Sequence, residues 1–292
     1  MPSVIDFNPS FVDVDFETEI TTNPILIDEG VVLGCLDSMN GGNFASFETE
    51  FADYDATEAL ITRAQALEEA RKQEAEKNGA SWLVTRIFDQ DGEGACVSDA
   101  WGQAFETRTA FTYGLENVTH VSAISLYQRI GRSAQSGANV GDGAKEMMSR
   151  GILPLDTPEN RARFGDQVMP NIGFRAPKPA GWEKTAKEFV VLEVKVIRTM
   201  DAMWTALAKR RPVVVGRRGH SICYTGLAAR GNDLFAPYAN SWKITWGQAY
   251  GNMSGGFGFD SERYIRESSS YAVAVCAVRC LQPGETIHQT AV

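Results

Sequence analysis

Apolar and polar positions follow two different periods along this chain, and the change falls near Pro212. Before it, apolar residues recur at helical spacing. Residues 96–113 carry an apolar face at Val97, Ala100, Trp101, Ala104, Phe105 and Phe111, which predicts a buried helix with a cysteine at its start. Ser122 before AISLYQRI, Asp142 before GAKEMMSR with Gly151 behind it, and Thr199 before MDAMWTALAKR predict three more helices, since each side-chain oxygen can accept an unpaired first-turn amide. Upstream, Asp55 and Glu58 have capping-box spacing and Gly79 stands where a helix would close, so one long helix is predicted between them. Its apolar stripe, Leu60, Ala64 and Leu67, is narrow. Residues 68–77 are charged nearly all round, with Glu68 and Lys72 spaced to pair, so the outer half is expected to face solvent or a partner.

After Pro212 the pattern becomes that of strands, at 212–216, 221–225, 234–239, 256–259 and 271–278, the first two joined through Arg217, Arg218 and Gly219. Helices first and strands afterwards predict an α+β fold of two lobes. Residues 1–50 are acidic, rich in Asn, Thr, Gly and Asp, with short apolar runs at 25–27 and 31–36, and predict an arm with one or two short strands.

Composition narrows the picture without changing it. A chain of 292 residues that is 43% hydrophobic and 22% charged can bury a core without cross-links. A net charge of -9, with no long basic run, excludes nucleic acid as the expected partner. No apolar run approaches the roughly 18 to 20 residues that span a bilayer, and the first residues lack a basic and an apolar signal region, so no membrane and a non-secreted, cytoplasmic setting are expected. Five cysteines form an odd set without framework spacing, which suits a reducing compartment and leaves a thiol open to use. Cys276 and Cys280 lie in an alternating run with no matching Cys or His pair nearby; they are expected as core thiols, with no metal and no cofactor.

Candidate chemistry centres on Cys96. A thiol in the first turn of a helix sits where the dipole and unpaired amides favour its anion. Gly92 and Gly94 just before it would let backbone N–H groups face a reacting carbonyl, and Gln90 offers a neutral amide as a second oxyanion donor. Of the three histidines, His120 precedes a helix and His288 lies in the tail; His220 begins a strand beside a tight turn and is placed to be the rigid base. Asn240, at the end of the next strand in NSWKITWG, can fix the imidazole tautomer, with Trp242 shielding that bond from water. Taken singly, Cys96 reads as a small buried residue, His220 as a core histidine and Asn240 as a turn residue; their combination points to a thiol nucleophile.

These motifs resemble the papain-like cysteine proteases, in order and spacing, from about residue 82 to about 266: Gln90-Asp-Gly-Glu-Gly-Ala-Cys96, then Gly219-His220 before an apolar strand, then Asn240-Ser-Trp242 with Trp246-Gly247, and ANVGDGAKEMMSRGILP as a cleft wall. The resemblance implies a papain-like two-lobed fold, a helical lobe with the nucleophile helix packed against an antiparallel, barrel-like lobe. It implies Cys96 as nucleophile, His220 as base, Asn240 as orienter and Gln90 in the oxyanion hole, with Gly94 and Trp242 lining the substrate site of a cysteine endopeptidase acting on peptides or proteins. The chain departs from the family at Val97 for Trp, Glu93 for a disulfide cysteine, Lys243 for glycine, and in the short link between Val215 and His220. Arg217 and Arg218, beside His220, are expected to point outward. The implied organisation is an arm plus helix over 1–80, propeptide-like or an attachment arm for assembly partners; a hydrolase domain over 81–285; and a tail over 286–292. The alternative is a structural or docking protein of a larger assembly, such as a viral particle, that keeps the fold. Cell-wall amidases with a Cys-His core share the nucleophile but not the NSW and WG signature.

Overall fold

Helix α1 (Tyr54–Thr57) and helix α2 (Arg63–Glu76) stand where one long helix was expected, and Glu58 is the physical reason for the break. Its carboxylate takes ion pairs from Lys195, Lys209 and Arg211 at 2.6, 2.7 and 2.8 Å, which draws the chain out of the helical path. The helix restarts at a second capping box, in which the Gln65 amide donates to Thr62 Oγ1 and the Thr62 amide donates to Gln65 Oε1. It ends on Lys77 in the left-handed conformation rather than at Gly79. The buried face is Ala66, Leu67, Ala70 and Gln73, not the stripe through Leu60 and Ala64, and the outer half packs on the protein: Arg71 donates to Gly231 O and Gln73 to Ala208 O.

The computed structural model describes residues 8–14, 35, 51–217 and 219–285; apart from Cys35, the strands expected at 25–27 and 31–36 lie outside them, as do Arg218, His288 and the tail over 286–292. The helical lobe is built on α3 (Cys96–Tyr113), with α4 (Ala123–Ile130) and α5 (Val140–Ser149) against it. Trp101 and Phe105 fill its centre against Ile124, Tyr127 and Met147. Gly143 is needed there, because a Cβ on it would stand 2.4 Å from Trp101 Nε1, which donates to Val140 O. Ser122 and Thr199 cap α4 and α8 (Met200–Ala208) as expected, whereas α5 starts at Val140, so Asp142 lies inside its first turn. Two short helices, α6 (Pro158–Phe164) and α7 (Trp182–Ala186), and α9 (Glu262–Ser268) were not read from the sequence.

The second lobe is an antiparallel sheet of eight strands among the described residues: β1 (Phe189–Val196), β2 (Val213–Arg217), β3 (His220–Tyr224), β4 (Ala228–Arg230), β5 (Asp233–Ala239), β6 (Gln248–Tyr250), β7 (Met253–Ser261) and β8 (Ser269–Cys280). Their order is β1-β8-β2-β3-β5-β7-β6, with β4 on β5, so the sheet is open rather than closed into a barrel. Strand β1 lies among the helices in sequence, and a bulge near Glu193 breaks its alternation, leaving Leu192 exposed. Trp204, Tyr224 and Tyr238 form the core on one face of the sheet. Cys276 and Cys280 are buried free thiols on β8. The register Arg217↔His220 closes a tight hairpin, and Tyr224↔Tyr238 with Cys223↔Ala239 brings Asn240, just past β5, back toward the start of β3.

Candidate active site

Cys96 is the first residue of α3 and fully buried, and its helix start has no side-chain cap, so first-turn amides are left to the sulfur. The backbone amides of Ser221, which follows His220 on β3, and of Val97 favour its anion. His220 Nε2–H donates to Asn240 Oδ1 at 2.7 Å, which leaves the lone pair on Nδ1. Trp242 stacks on the imidazole with ring centroids 4.8 Å apart and 27° between planes, and both Asn240 and Trp242 are buried, so the bond is shielded from water.

Gln90 is held from both sides of its carboxamide. Oε1 accepts from Ser241 Oγ at 2.8 Å and from Trp242 Nε1 at 3.2 Å, while Nε2 donates to Glu93 O at 2.8 Å. The amide group is therefore fixed in one orientation, with one Nε2–H taken by Glu93 O. That turn is shaped by left-handed residues Asp91 and Gly92. Gly94 donates its amide to Ala134 O at 2.7 Å, so it does not supply an oxyanion donor. Glu93 accepts from the amides of Gly173 and Phe174 at 3.3 and 2.8 Å and so ties this turn to the segment around them. Lys243 adopts a positive φ of 67° in place of glycine and lies 3.5 Å from both Asp89 and Asp91.

Arg217 points inward, contrary to expectation, and is 2% exposed. Its compensation comes from Asp260, whose two oxygens accept from Nη1 at 3.0 and 2.8 Å, with Tyr224 OH donating to the same carboxylate at 2.6 Å. The guanidinium also lies over Tyr238 and Tyr264. Burial, with Arg217 adding to it and the Asn240 bond opposing it, lowers the His220 pKa to about 3. Burial likewise pushes the Cys96 thiol well above its usual range, and Cys35 and Asp99 add to that. The pair is therefore a neutral thiol and a neutral imidazole while it is buried.

Cys35 is buried in the same core cluster as Cys96. Its amide donates to Gly219 O at 2.9 Å, it bridges Ala138 in parallel, and its sulfur packs over Gly216. A single cysteine in the short apolar run over 31–36 gave no signal for this. Asp99, one turn beyond Cys96, and Asp260 were also missed; the only sign of Asp99 was a charged residue on an otherwise apolar helix face. His120 is not at the site, and pairs with the buried Glu106 at 2.9 Å. Among the described residues no cluster of His, Cys, Asp or Glu is arranged to hold a metal.

Neither a protein-family model nor a curated protein matches the chain. Solved structures do. Xylellain, a cysteine protease from Xylella fastidiosa, is similar at 15% identity with a TM-score of 0.56, over 83% of this chain and 98% of that one. Digestive procathepsin L 3 of the Tenebrio molitor larval midgut is similar at 12% identity and 0.53, over 89% and 88%. Procathepsin B S9 from Trypanosoma congolense is similar at 11% identity and 0.51, over 91% and 99%. These are papain-like cysteine proteases, and what this chain shares with them, at such low identity, is the two-lobed α+β papain-like fold.

Proposed function

We propose that this chain is a papain-like cysteine peptidase that cleaves peptide bonds, held with its nucleophile buried in one core cluster with Cys35. The observation that carries the reading is the His220–Asn240 bond of 2.7 Å beneath Trp242, with a buried cysteine at an uncapped helix start. Once Cys35 is withdrawn, water restores solvation to both groups, and the thiol proton passes to His220 Nδ1. The thiolate then attacks the carbonyl carbon. The oxyanion is met by the Cys96 amide and the Gln90 Nε2–H, and His220 protonates the leaving amine. Water, deprotonated by the same imidazole, releases the acyl group.

The burial of Cys35 favours a propeptide-like reading of residues 1–50, whereas residues 54–76 pack into the domain and stay with it. The test is labelling by a thiol-directed affinity probe. Full-length protein is expected to label slowly, protein lacking residues 1–50 at least 10-fold faster, and Cys96→Ala in either form not at all at that position. Slow labelling of the shortened protein, unchanged from the full chain, would reject the propeptide-like reading and favour the attachment-arm reading. Fast labelling without turnover of any peptide library would reject the peptidase.

A further inference from the structure

Asp99 and Gln103 lie one and two turns beyond Cys96 on α3, and both are buried. Neither carboxyl oxygen of Asp99 has a hydrogen-bond partner among the described residues, and the same holds for Asn240 Nδ2. These groups meet at one small cavity behind the His220–Asn240 pair, which Ser221 and Ser241 also line. Two unpaired polar side chains at a triad member's back are costly unless something joins them. The two serines have given their hydroxyl protons elsewhere, Ser221 to Val215 O and Ser241 to Gln90 Oε1, so in the cavity they can only accept. The cavity has room for about one water molecule, and its walls supply the two to four polar partners such a water needs.

We propose that Asp99, acting through one water molecule in this cavity, is a positioning residue for the triad. The water accepts from Asn240 Nδ2–H and donates to the Asp99 carboxyl. A carboxamide has nearly the same shape in its two flipped orientations, so shape alone does not choose between them. With the Nδ2 side held at the cavity, Oδ1 faces His220 and accepts from Nε2–H. A flip would set N–H against N–H, drive the ring to its other tautomer and remove the lone pair from Nδ1, where the thiol proton must go. Asp99 serves this role as a neutral acid. Burial raises it well above the usual carboxylate range, Asp89 and Glu93 add to that and Arg86 opposes it, so no fixed negative charge stands behind the imidazole.

This role rests on the peptidase reading for its consequence but not for its measurement. The His220 Nε2–H proton is followed by NMR in the full-length chain, beside the rate of iodoacetamide modification at Cys96 read by mass spectrometry. Asp99→Asn keeps a neutral polar group of the same shape and is expected to preserve the resonance and hold the rate within about 3-fold. Asp99→Leu fills the cavity with carbon and is expected to shift or broaden the resonance and lower the rate about 10-fold, with an equal or higher melting temperature, because an unpaired buried acid has been removed. If the leucine variant does not fold, Asp99→Ala removes the carboxyl without adding bulk and is expected to change both signals in the same direction. A wild-type resonance and rate in the folded Leu or Ala variant overturns the proposal. A resonance that responds to Asp99 in a protein that cleaves no peptide upholds the positioning role and rejects only the peptidase reading.

Discussion

Arg217 stands three residues before His220 and inside the protein, so its charge has to be met there. Asp260 meets it, with Tyr224 donating to the same carboxylate. A buried pair of this kind contributes little over an apolar substitute, but half of one is destabilising. Asp260→Asn is therefore expected to cost about 3 kcal/mol, while Arg217→Met combined with Asp260→Leu recovers more than half of that loss; urea midpoints of the three proteins decide. A single variant as costly as the double would mean that the pair does not act as a unit. The same residue marks the limit of what the chain reveals about its site. That His220 and Asn240 would meet, with Trp242 over them, was legible because the motifs follow a recognisable order. The inward turn of Arg217 was not, since its counter-charge lies 43 residues away. Nor was Asp99, whose role depends on the back of a side chain from the other lobe.

Elements were legible where one period ran unbroken, as in α3 and in the strands after Pro212. They were lost where tertiary partners interrupted it: the ion pairs of Glu58 split α1 from α2, and a bulge hid β1. Helix α2 was expected to face outward because charge surrounds it, yet one of those charges is part of its attachment. Glu74 Oε1 accepts from the Ala229 amide and from Tyr250 OH, both at 3.2 Å, and burial raises its pKa from 4.5 to about 7 despite those bonds. Between these two values the folded chain keeps a proton that the unfolded chain releases, so stability falls as pH rises from about 4.5 to about 7. Glu74→Gln is expected to remove that fall and to gain about 1 kcal/mol at pH 8 over the wild type, with no gain near pH 4. Denaturant titrations at the two pH values test this. Parallel pH trends in both proteins would show that another group is responsible.

At the scale of the whole molecule, the lobes meet where α3 faces β3, and the resemblance in motif order anticipated that meeting more securely than any single element did. What the sequence left unread is how Cys35 is fastened. Its contacts include backbone bonding to Gly219 and Ala138, and the seating of the sulfur over Gly216 on β2. The second depends on an atom that glycine lacks. A Cβ at residue 216 would come within 2.9 Å of Cys35 Sγ and 3.2 Å of Ser270 Oγ, closer than either can stay. Gly216→Ala is thus expected to speed labelling of Cys96 in the full-length chain at least 3-fold while leaving the His220–Asn240 bond intact; a rate equal to wild type would mean that the sulfur's seat contributes nothing. One methyl group, added at residue 216, would then act as a wedge, displacing the Cys35 sulfur while leaving the His220–Asn240 bond untouched.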